Sequence, residues 1–267
     1  MFATIWDDHS IDGSRIMTVR EAEDLFFSQL KFETRPVAVR LLADRTELGK
    51  KPFPMKLNIC QLISMARHGG RATAAVPDRM VCSIGASCAG LVKTTPALVS
   101  GEAAVGKYTA DAEAGKVFFE NTYKLGDGGK VYDAIELAPL GDAVFEPQVV
   151  LFYANPAQVM RLVHTVNRKS GEKVAADTVA EAAVCSAIGF VLGEDRPMIG
   201  FPCAGDRRFG GTQNHELVFA APWHTVREVM APNLVEMAKA GPLYPVPPHV
   251  LYDPVMPLAY TLEEEDL

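Results

Sequence analysis

The residues in this sequence best able to do chemistry are its five cysteines. Two of them, Cys82 and Cys88, lie six residues apart in VCSIGASCAGL (81–91), a stretch otherwise made of Gly, Ala, Ser and larger apolar residues. The other three are dispersed along the chain: Cys60, Cys185 and Cys203. A thiol in such a setting can pack in a core, form a disulfide, act as a nucleophile or bind a soft metal.

Disulfides are the weakest of these four interpretations. The cysteines are few, scattered and odd in number, unlike those of a secreted disulfide scaffold. The N-terminal stretch carries Asp7 and Asp8 where a signal peptide needs positive charge followed by an apolar run. We therefore expect an untargeted cytoplasmic protein with reduced thiols. CxxC, CxxH and HxxxH patterns are absent from the sequence, so the usual spacing of a zinc site is missing as well.

The local contexts of the cysteines favour some roles over others. Cys60 falls in the first turn of a predicted helix that begins at Asn58, where the helix dipole lowers the pKa of a thiol. Cys82 precedes Ser83 to Ala86, which we interpret as a loop of small residues. A single cysteine most often just packs, but Cys82 and Cys203 adjoin glycine-rich loops, where function concentrates.

A second group of residues is CAGDRRFGG (203–211), interpreted as a turn after a strand. Arg207 and Arg208 in this turn suit a carboxylate or phosphate group, and a solvated surface turn is the equal alternative. The segment matches neither a Walker loop nor GxGxxG, which disfavours nucleotide phosphate. The histidines His68, His164, His215 and His224 are interpreted as structural residues.

Composition narrows the class of protein. The chain has 267 residues, 48% of them hydrophobic and 22% charged, which suffices for a substantial core. Its net charge of −7 argues against nonspecific nucleic-acid binding and against an anionic membrane surface. No apolar run approaches the length of a membrane span.

Apolar periodicity and capping residues predict alternating helices and strands. Helices are predicted over 18–32, 57–70, 154–172, 177–194 and 224–241, the last with a break at Pro232, and strands over 35–42, 134–140, 147–154 and 215–223. We expect an α+β (mixed α/β) fold, with residues 1–240 as one domain of a mixed sheet and flanking helices. Residues 241–267 are expected to form an extended, proline-rich and acidic tail. The apolar 177–194 segment or this tail could serve the interface of a homo-oligomer.

Taken together, these segments resemble the uncharacterised DUF169 family over residues 20–235. The segments that carry the resemblance are RPVAVRL (35–41), NICQLISMAR (58–67), CSIGASCAGL (82–91), ANPAQVMRLV (154–163), VCSAIG (184–189) and FPCAGDRRF (201–209). NPAQVMRL is the most specific of them. Ser186-Ala187 and Ser83-Ile84 depart from the family pattern.

The resemblance implies that four cysteines act as a set. Cys60, Cys82, Cys185 and Cys203 fall on family cysteines, whereas Cys88 falls on an apolar position and is expected to be a packed spare thiol. Four thiolates favour a 4Fe–4S cluster, with zinc as the lesser alternative. We therefore expect an iron–sulfur enzyme of the oxidoreductase or lyase type acting on a small anionic substrate, with Arg207 and Arg208 as its catalytic residues. The alternatives are a metal-free cysteine-dependent hydrolase or transferase, and a small-molecule-binding accessory subunit.

Overall fold

A seven-stranded mixed sheet organises residues 17–240, the part of the chain that this computed structural model describes. Its strands are β1 (Val37–Leu42), β2 (Thr73–Ala75), β3 (Ala134–Pro139), β4 (Val149–Ala154), β5 (Ala175–Asp177), β6 (Met198–Gly200) and β7 (Leu217–Pro222). Their order across the sheet is β2-β3-β1-β4-β7-β6-β5. Neighbouring strands are antiparallel except for β5 and β6, which are parallel.

The helices lie before, between and after these strands. They are α1 (Val19–Leu30), α2 (Ile59–Arg67), α3 (Ser83–Cys88), α4 (Pro96–Val99), α5 (Ala112–Glu120), α6 (Pro156–Asn167), α7 (Ala183–Glu194), α8 (Ala204–Gly210), α9 (Trp223–Thr225) and α10 (Ala231–Ala240). Within residues 17–240, none of them combines the length and the apolar character that a membrane crossing requires.

The central strands are apolar on both faces because helices cover the sheet on both sides. Alternate residues of β4 enter different cores: Leu151 and Tyr153 pack with α2, α3 and α7, whereas Val150 and Phe152 pack with α1, α6 and α10. The side covered by α2, α3 and α7 is called the cysteine face. The expected α+β fold with a mixed sheet and flanking helices is confirmed.

Local signals placed the longer helices correctly. Asn58 caps α2 and Asn155 caps α6, each through a reciprocal capping box with the glutamine three residues later. Pro156 occupies the first position of α6, where its missing N–H costs nothing. The predicted helix over 18–32 is α1, with the capping box of Thr18 and Glu21 in place.

Four expectations of local structure were wrong. The small-residue loop after Cys82 is the helix α3, and the turn expected over 203–211 is the helix α8. The helix expected over 177–194 begins only at Ala183, because β5 and a bent segment precede it. The break expected at Pro232 is absent: helical structure is continuous from 223 to 240, and it changes from a π-helical segment, Val226–Met230, to α10 just before Pro232. The predicted tail, 241–267, lies outside the described residues.

Candidate four-cysteine site

The four cysteines of the set all lie at the beginnings of helices. Cys60 is the second residue of α2 and Cys185 the third residue of α7. Cys82 and Cys203 are the N-cap residues of α3 and α8. All four thiols are free; Cys82 is partly exposed and the other three are buried. Four helix beginnings with their unpaired N–H groups therefore each bring one thiol.

Backbone pairing brings the first two cysteines together. Leu57, just before α2, donates its N–H to the carbonyl of Arg79 at 2.9 Å, and Val81 donates to the carbonyl of Leu57 at 3.2 Å. These two bonds form a short parallel bridge between the segments that enter α2 and α3. The bridge pairs Leu57 with Met80, so Cys60 and Cys82 follow it by three and two residues, and their helices start side by side.

Parallel strands bring the other two together. In the pairing of β5 with β6, Asp177 lies beside Gly200, at the carboxyl ends of both strands. The chain then runs from β5 to α7 and from β6 to α8, so Cys185 and Cys203 start from the same end of the sheet. Ser186 fixes the first turn of α7 by donating its hydroxyl to Asp177 Oδ2 at 3.0 Å.

Contacts between the two pairs close the arrangement. A Cβ placed on Gly85 would lie 3.0 Å from Sγ of Cys185 and 3.5 Å from Sγ of Cys82, so this glycine lies next to both sulfur atoms. The side chains of Cys60 and Cys185 interact directly. A Cβ on Gly210, at the end of α8, would lie 3.5 Å from Cβ of Cys60, so α8, which begins at Cys203, packs against α2. The structure thus places Cys82 and Cys185 side by side at Gly85 and Cys60 next to Cys185, and it connects Cys203 to them through the packing of α8 on α2.

Three thiols of this site, those of Cys82, Cys185 and Cys203, have raised pKa values that favour their neutral form. The hydrogen bond with Cys60, together with burial, raises the pKa of Cys185 well above its ordinary value. Burial raises the pKa of Cys203 to about 11 and also raises the pKa of Cys82. The amides of Gly85 and Ile84 oppose the rise at Cys82, but burial outweighs them. The helix N-terminus therefore does not lower the pKa of Cys82 enough to make it a thiolate. A cysteine nucleophile would need such a lowered pKa.

Glu181 lies close enough to Cys82 and Cys203 to act on both, and sequence reasoning missed it. Its carboxyl group lies close to the hydroxyl of Tyr108, and its charge acts on both Cys82 and Cys203. The residues on either side of it, Ala180 and Ala182, have φ angles of 59° and 49°. Left-handed backbone at a residue with a Cβ costs roughly 1–3 kcal/mol and clusters at functional sites. Nothing in the sequence marks Glu181, because its position depends on this backbone.

Arg207 and Arg208 lie on α8, which begins at Cys203. Arg207 is half-buried and donates to the carbonyl of Gln213 at 2.8 Å. Arg208 is exposed, with its guanidinium carbon 5.6 Å from the centroid of the Phe209 ring. Both arginines are therefore close to Cys203 in sequence. The guanidinium group of Arg207 contacts the segment after α8, and that of Arg208 lies against Phe209 on the surface of α8.

A buried polar network lies under the site. The guanidinium carbon of Arg67 lies 3.7 Å from the centroid of the Tyr153 ring, and the same guanidinium pairs with Glu216. The Tyr153 hydroxyl donates to Asp206 Oδ1 at 3.1 Å, and the Asp206 amide donates to Cys203 Sγ at 3.4 Å. Burial raises the pKa of Asp206 to about 6. This network connects the sheet to the beginning of α8.

Cys88 and three of the histidines within residues 17–240, His68, His215 and His224, have their contacts away from the four cysteines. Cys88 is fully buried in the core at the end of α3, as expected of a packed thiol, and burial raises its pKa. His215 contacts Glu33 at 3.2 Å and His224 contacts Asp195 at 3.7 Å, both near the surface. His68 follows α2, and a Cβ on Gly211 would lie 3.2 Å from its Nε2. Among residues 17–240, no group of three or more His, Cys, Asp or Glu side chains could hold a metal ion in this arrangement.

The fold and the site define an α+β protein with a four-cysteine centre at helix beginnings. Comparison with known proteins gives the family: the profile of DUF169, described as uncharacterised ArCR, matches residues 27–231, and the chain belongs to this family. An uncharacterised protein of Methanocaldococcus jannaschii, MJ0308, is 25% identical over 218 residues, which cover 79% of this chain and 92% of that protein. No solved structure matches the chain. The resemblance predicted from the sequence is therefore confirmed.

Proposed function

We propose that the protein is an iron–sulfur protein whose 4Fe–4S cluster is held by Cys60, Cys82, Cys185 and Cys203. We further propose that it is an enzyme, of the oxidoreductase or lyase type, acting on a small anionic substrate beside the cluster. Bound there by all four cysteines, the cluster would supply electron transfer; bound by three of them, it would also offer one open, Lewis-acidic iron. One observation carries the proposal. Four cysteines that are up to 143 residues apart in sequence each lie at the beginning of a helix, and these four helices pack near one another.

The donor set fits the proposed group. Four thiols form a soft site that suits iron–sulfur clusters or zinc. Zinc in a structural site needs four ligands at about 2.0–2.3 Å from one point. A four-iron cluster binds each cysteine at a different iron atom, so its ligands are spaced more widely, which suits thiols that come from four separate helices. Zinc remains the second candidate metal.

The chain's own groups have distinct tasks in such a site. The Asp206 amide donates to Cys203 Sγ, and the amides of Ile84 and Gly85 act to lower the pKa of Cys82; these groups would stabilise the two thiolates when metal is bound. Gly85 leaves space next to two sulfur atoms. Arg208 is the guanidinium most available to an anionic substrate, since Arg207 already donates to a backbone carbonyl.

Two other functions receive less support. A metal-free cysteine hydrolase or transferase needs a thiolate, yet burial raises the pKa of both Cys82 and Cys203 in the metal-free structure. A small-molecule-binding accessory subunit would need no convergence of thiols. It predicts that single cysteine substitutions leave ligand binding intact. The cytoplasmic location and the homo-oligomeric state remain predictions, the latter open to size-exclusion chromatography with light scattering.

Anaerobic purification with iron and sulfide analysis tests the proposal. We expect a brown protein with about four iron and four sulfide per chain, the content of a 4Fe–4S cluster. Each of the four Cys→Ser variants should lose most of the iron, whereas Cys88→Ala should retain it. Colourless, iron-free protein after anaerobic reconstitution would contradict the proposal, and one thiol alone alkylated rapidly with loss of activity would favour the cysteine hydrolase.

A further inference from the structure

The acidic side chain of Glu181 lies near the four-cysteine site and has no part in the proposed binding of the cluster. Cys60 and Cys185 lie deeper, in the apolar core with α2 and α7, whereas Cys82 is partly exposed. Glu181 lies close enough to Cys82 and Cys203 for its charge to act on both thiols. The charge of Glu181 therefore acts on Cys82, the one thiol of the site that is partly exposed.

The carboxyl group of Glu181 has unused hydrogen-bonding capacity. Its Oε2 atom is buried and has no hydrogen-bond partner in the described structure. Buried polar atoms are nearly always satisfied, so a buried acceptor without a partner, on a carboxyl group whose charge acts on Cys82 and Cys203, indicates a partner supplied by a ligand. The Tyr108 hydroxyl lies close to the same carboxyl group, and the charge of Lys107 also acts on it.

The backbone holds Glu181 in this place at a conformational cost. Ala180 and Ala182, on either side of it, both adopt left-handed backbone. Asp177 anchors the same segment by accepting from the Val179 amide at 2.9 Å and from the Ser186 hydroxyl at 3.0 Å. Such strain persists only where the surrounding structure imposes it. The segment therefore fixes the carboxyl group beside the thiols instead of leaving it free in solvent.

We infer that Glu181 is a specificity residue of this site and accepts a hydrogen bond from a hydroxyl or ammonium group of the ligand. This inference rests on the proposed function and adds to it. The anionic group of the substrate would bind the guanidinium groups on α8, and the part of the substrate that faces the cysteines would carry a hydrogen-bond donor. A carboxylate or phosphate facing the thiols would meet the like charge of Glu181.

Charged thiol reagents test the inference on the full-length, metal-free protein, without knowledge of the substrate. Two methanethiosulfonates are compared at pH 8: one carries a trimethylammonium group and the other a sulfonate. Mass spectrometry of the peptides gives the modification rates of Cys82 and Cys203. We expect Glu181→Gln to lower the cationic-to-anionic rate ratio at these two thiols by about tenfold, equivalent to about 1.4 kcal/mol of charge interaction.

Two matched variants and a second probe complete the design. Glu194→Gln removes a carboxylate at the far end of α7 and should leave the ratio unchanged, as should Tyr108→Phe, which keeps the Glu181 charge. If circular dichroism shows that metal removal unfolds the chain, metal-loaded protein is used instead. The cationic-to-anionic ratio is then the rate at which hexaammineruthenium(III), a cationic oxidant, bleaches the cluster colour, divided by the rate for ferricyanide, an anionic oxidant. A ratio equal in wild type and Glu181→Gln would overturn the inference. Iron content, measured on the same preparations, tests the cluster separately.

Discussion

Gly85→Ala should separate the stability of the fold from the capacity of the four-cysteine site. The added Cβ would lie 3.0 Å from Sγ of Cys185 and 3.5 Å from Sγ of Cys82, so one side chain must move by a few tenths of an ångström. Gly85 lies within α3 and has no left-handed φ angle. Alanine is favoured over glycine in a helix by about 0.5–1 kcal/mol. In the metal-free protein the gain and the crowding roughly cancel, so we expect an unfolding free energy within about 1 kcal/mol of wild type.

The loaded protein should respond differently, because a bound cluster fixes both sulfur atoms and leaves them unable to move away from the methyl group. Overpacking of a rigid site costs about 1–3 kcal/mol, which weakens cluster binding by roughly 5- to 150-fold. Urea unfolding of metal-free protein and iron loss to a chelator measure the two effects. Gly205→Ala is the matched control, since its Cβ would lie 3.6 Å from Sγ of Cys203, an ordinary contact. Full iron retention in Gly85→Ala would refute this account of the site.

Three further outcomes are expected. Cys82→Ser should lose iron, whereas Cys88→Ala should keep it and lower the unfolding free energy in urea by about 1–2 kcal/mol, because Cys88 is fully buried; equal iron loss would contradict this. Tyr153→Phe should cost about 1–3 kcal/mol in the same assay, because buried Asp206 loses a donor at 3.1 Å, and an unchanged midpoint would refute the network. The hydrogen bond from Arg35 holds the pKa of Asp142 below its ordinary 3.8, so the stability it gives is present above pH 3.8 and lost as pH falls further. Asp142→Asn should flatten that acid limb in pH-dependent thermal melts, and an unaltered slope would argue against the pair.

The elements that could be predicted from sequence are those whose signals are local. The capping boxes at Asn58 and Asn155 join residues three apart, and the apolar periodicity of α1 and α6 extends over twelve residues each. Strand β4 is a continuous apolar run of six residues, and the apolar run of β1 is interrupted only by Arg40. None of these signals depends on distant parts of the chain, so the sequence is sufficient to read them.

The short helices at the site could not be predicted because their stability comes from tertiary packing. α3 has six residues, among them glycine and two serines, which are poor helix formers in isolation. It is held against α7 at a very close approach: a Cβ on Gly189 would lie 2.3 Å from the carbonyl oxygen of Cys88. Only the folded sheet brings these two helices together, and composition alone indicates a loop.

The grouping of the cysteines came from resemblance, since their spacing carries little information. Leu57 pairs with the segment before Cys82, and β5 pairs with β6, through hydrogen bonds between chain segments that are more than 20 residues apart. These long-range pairings set the positions of the thiols. Glu181 illustrates the limit, because its role depends on left-handed backbone at its two alanine neighbours, a conformation that alanine rarely adopts and that no sequence pattern predicts.

The four cysteines are not held equally firmly, and this difference bears on how the site would load. Cys60 and Cys185 belong to helices packed into the apolar core of the cysteine face. Cys203, in contrast, begins the seven-residue helix α8, which the Tyr153–Asp206 hydrogen bond ties to the sheet. Hydrogen bonds between buried groups are directional, so they fix the orientation of α8 more than its depth. Cys60 and Cys185 therefore provide a rigid base, and Cys203 is the cysteine whose position depends on polar contacts that a single substitution can remove.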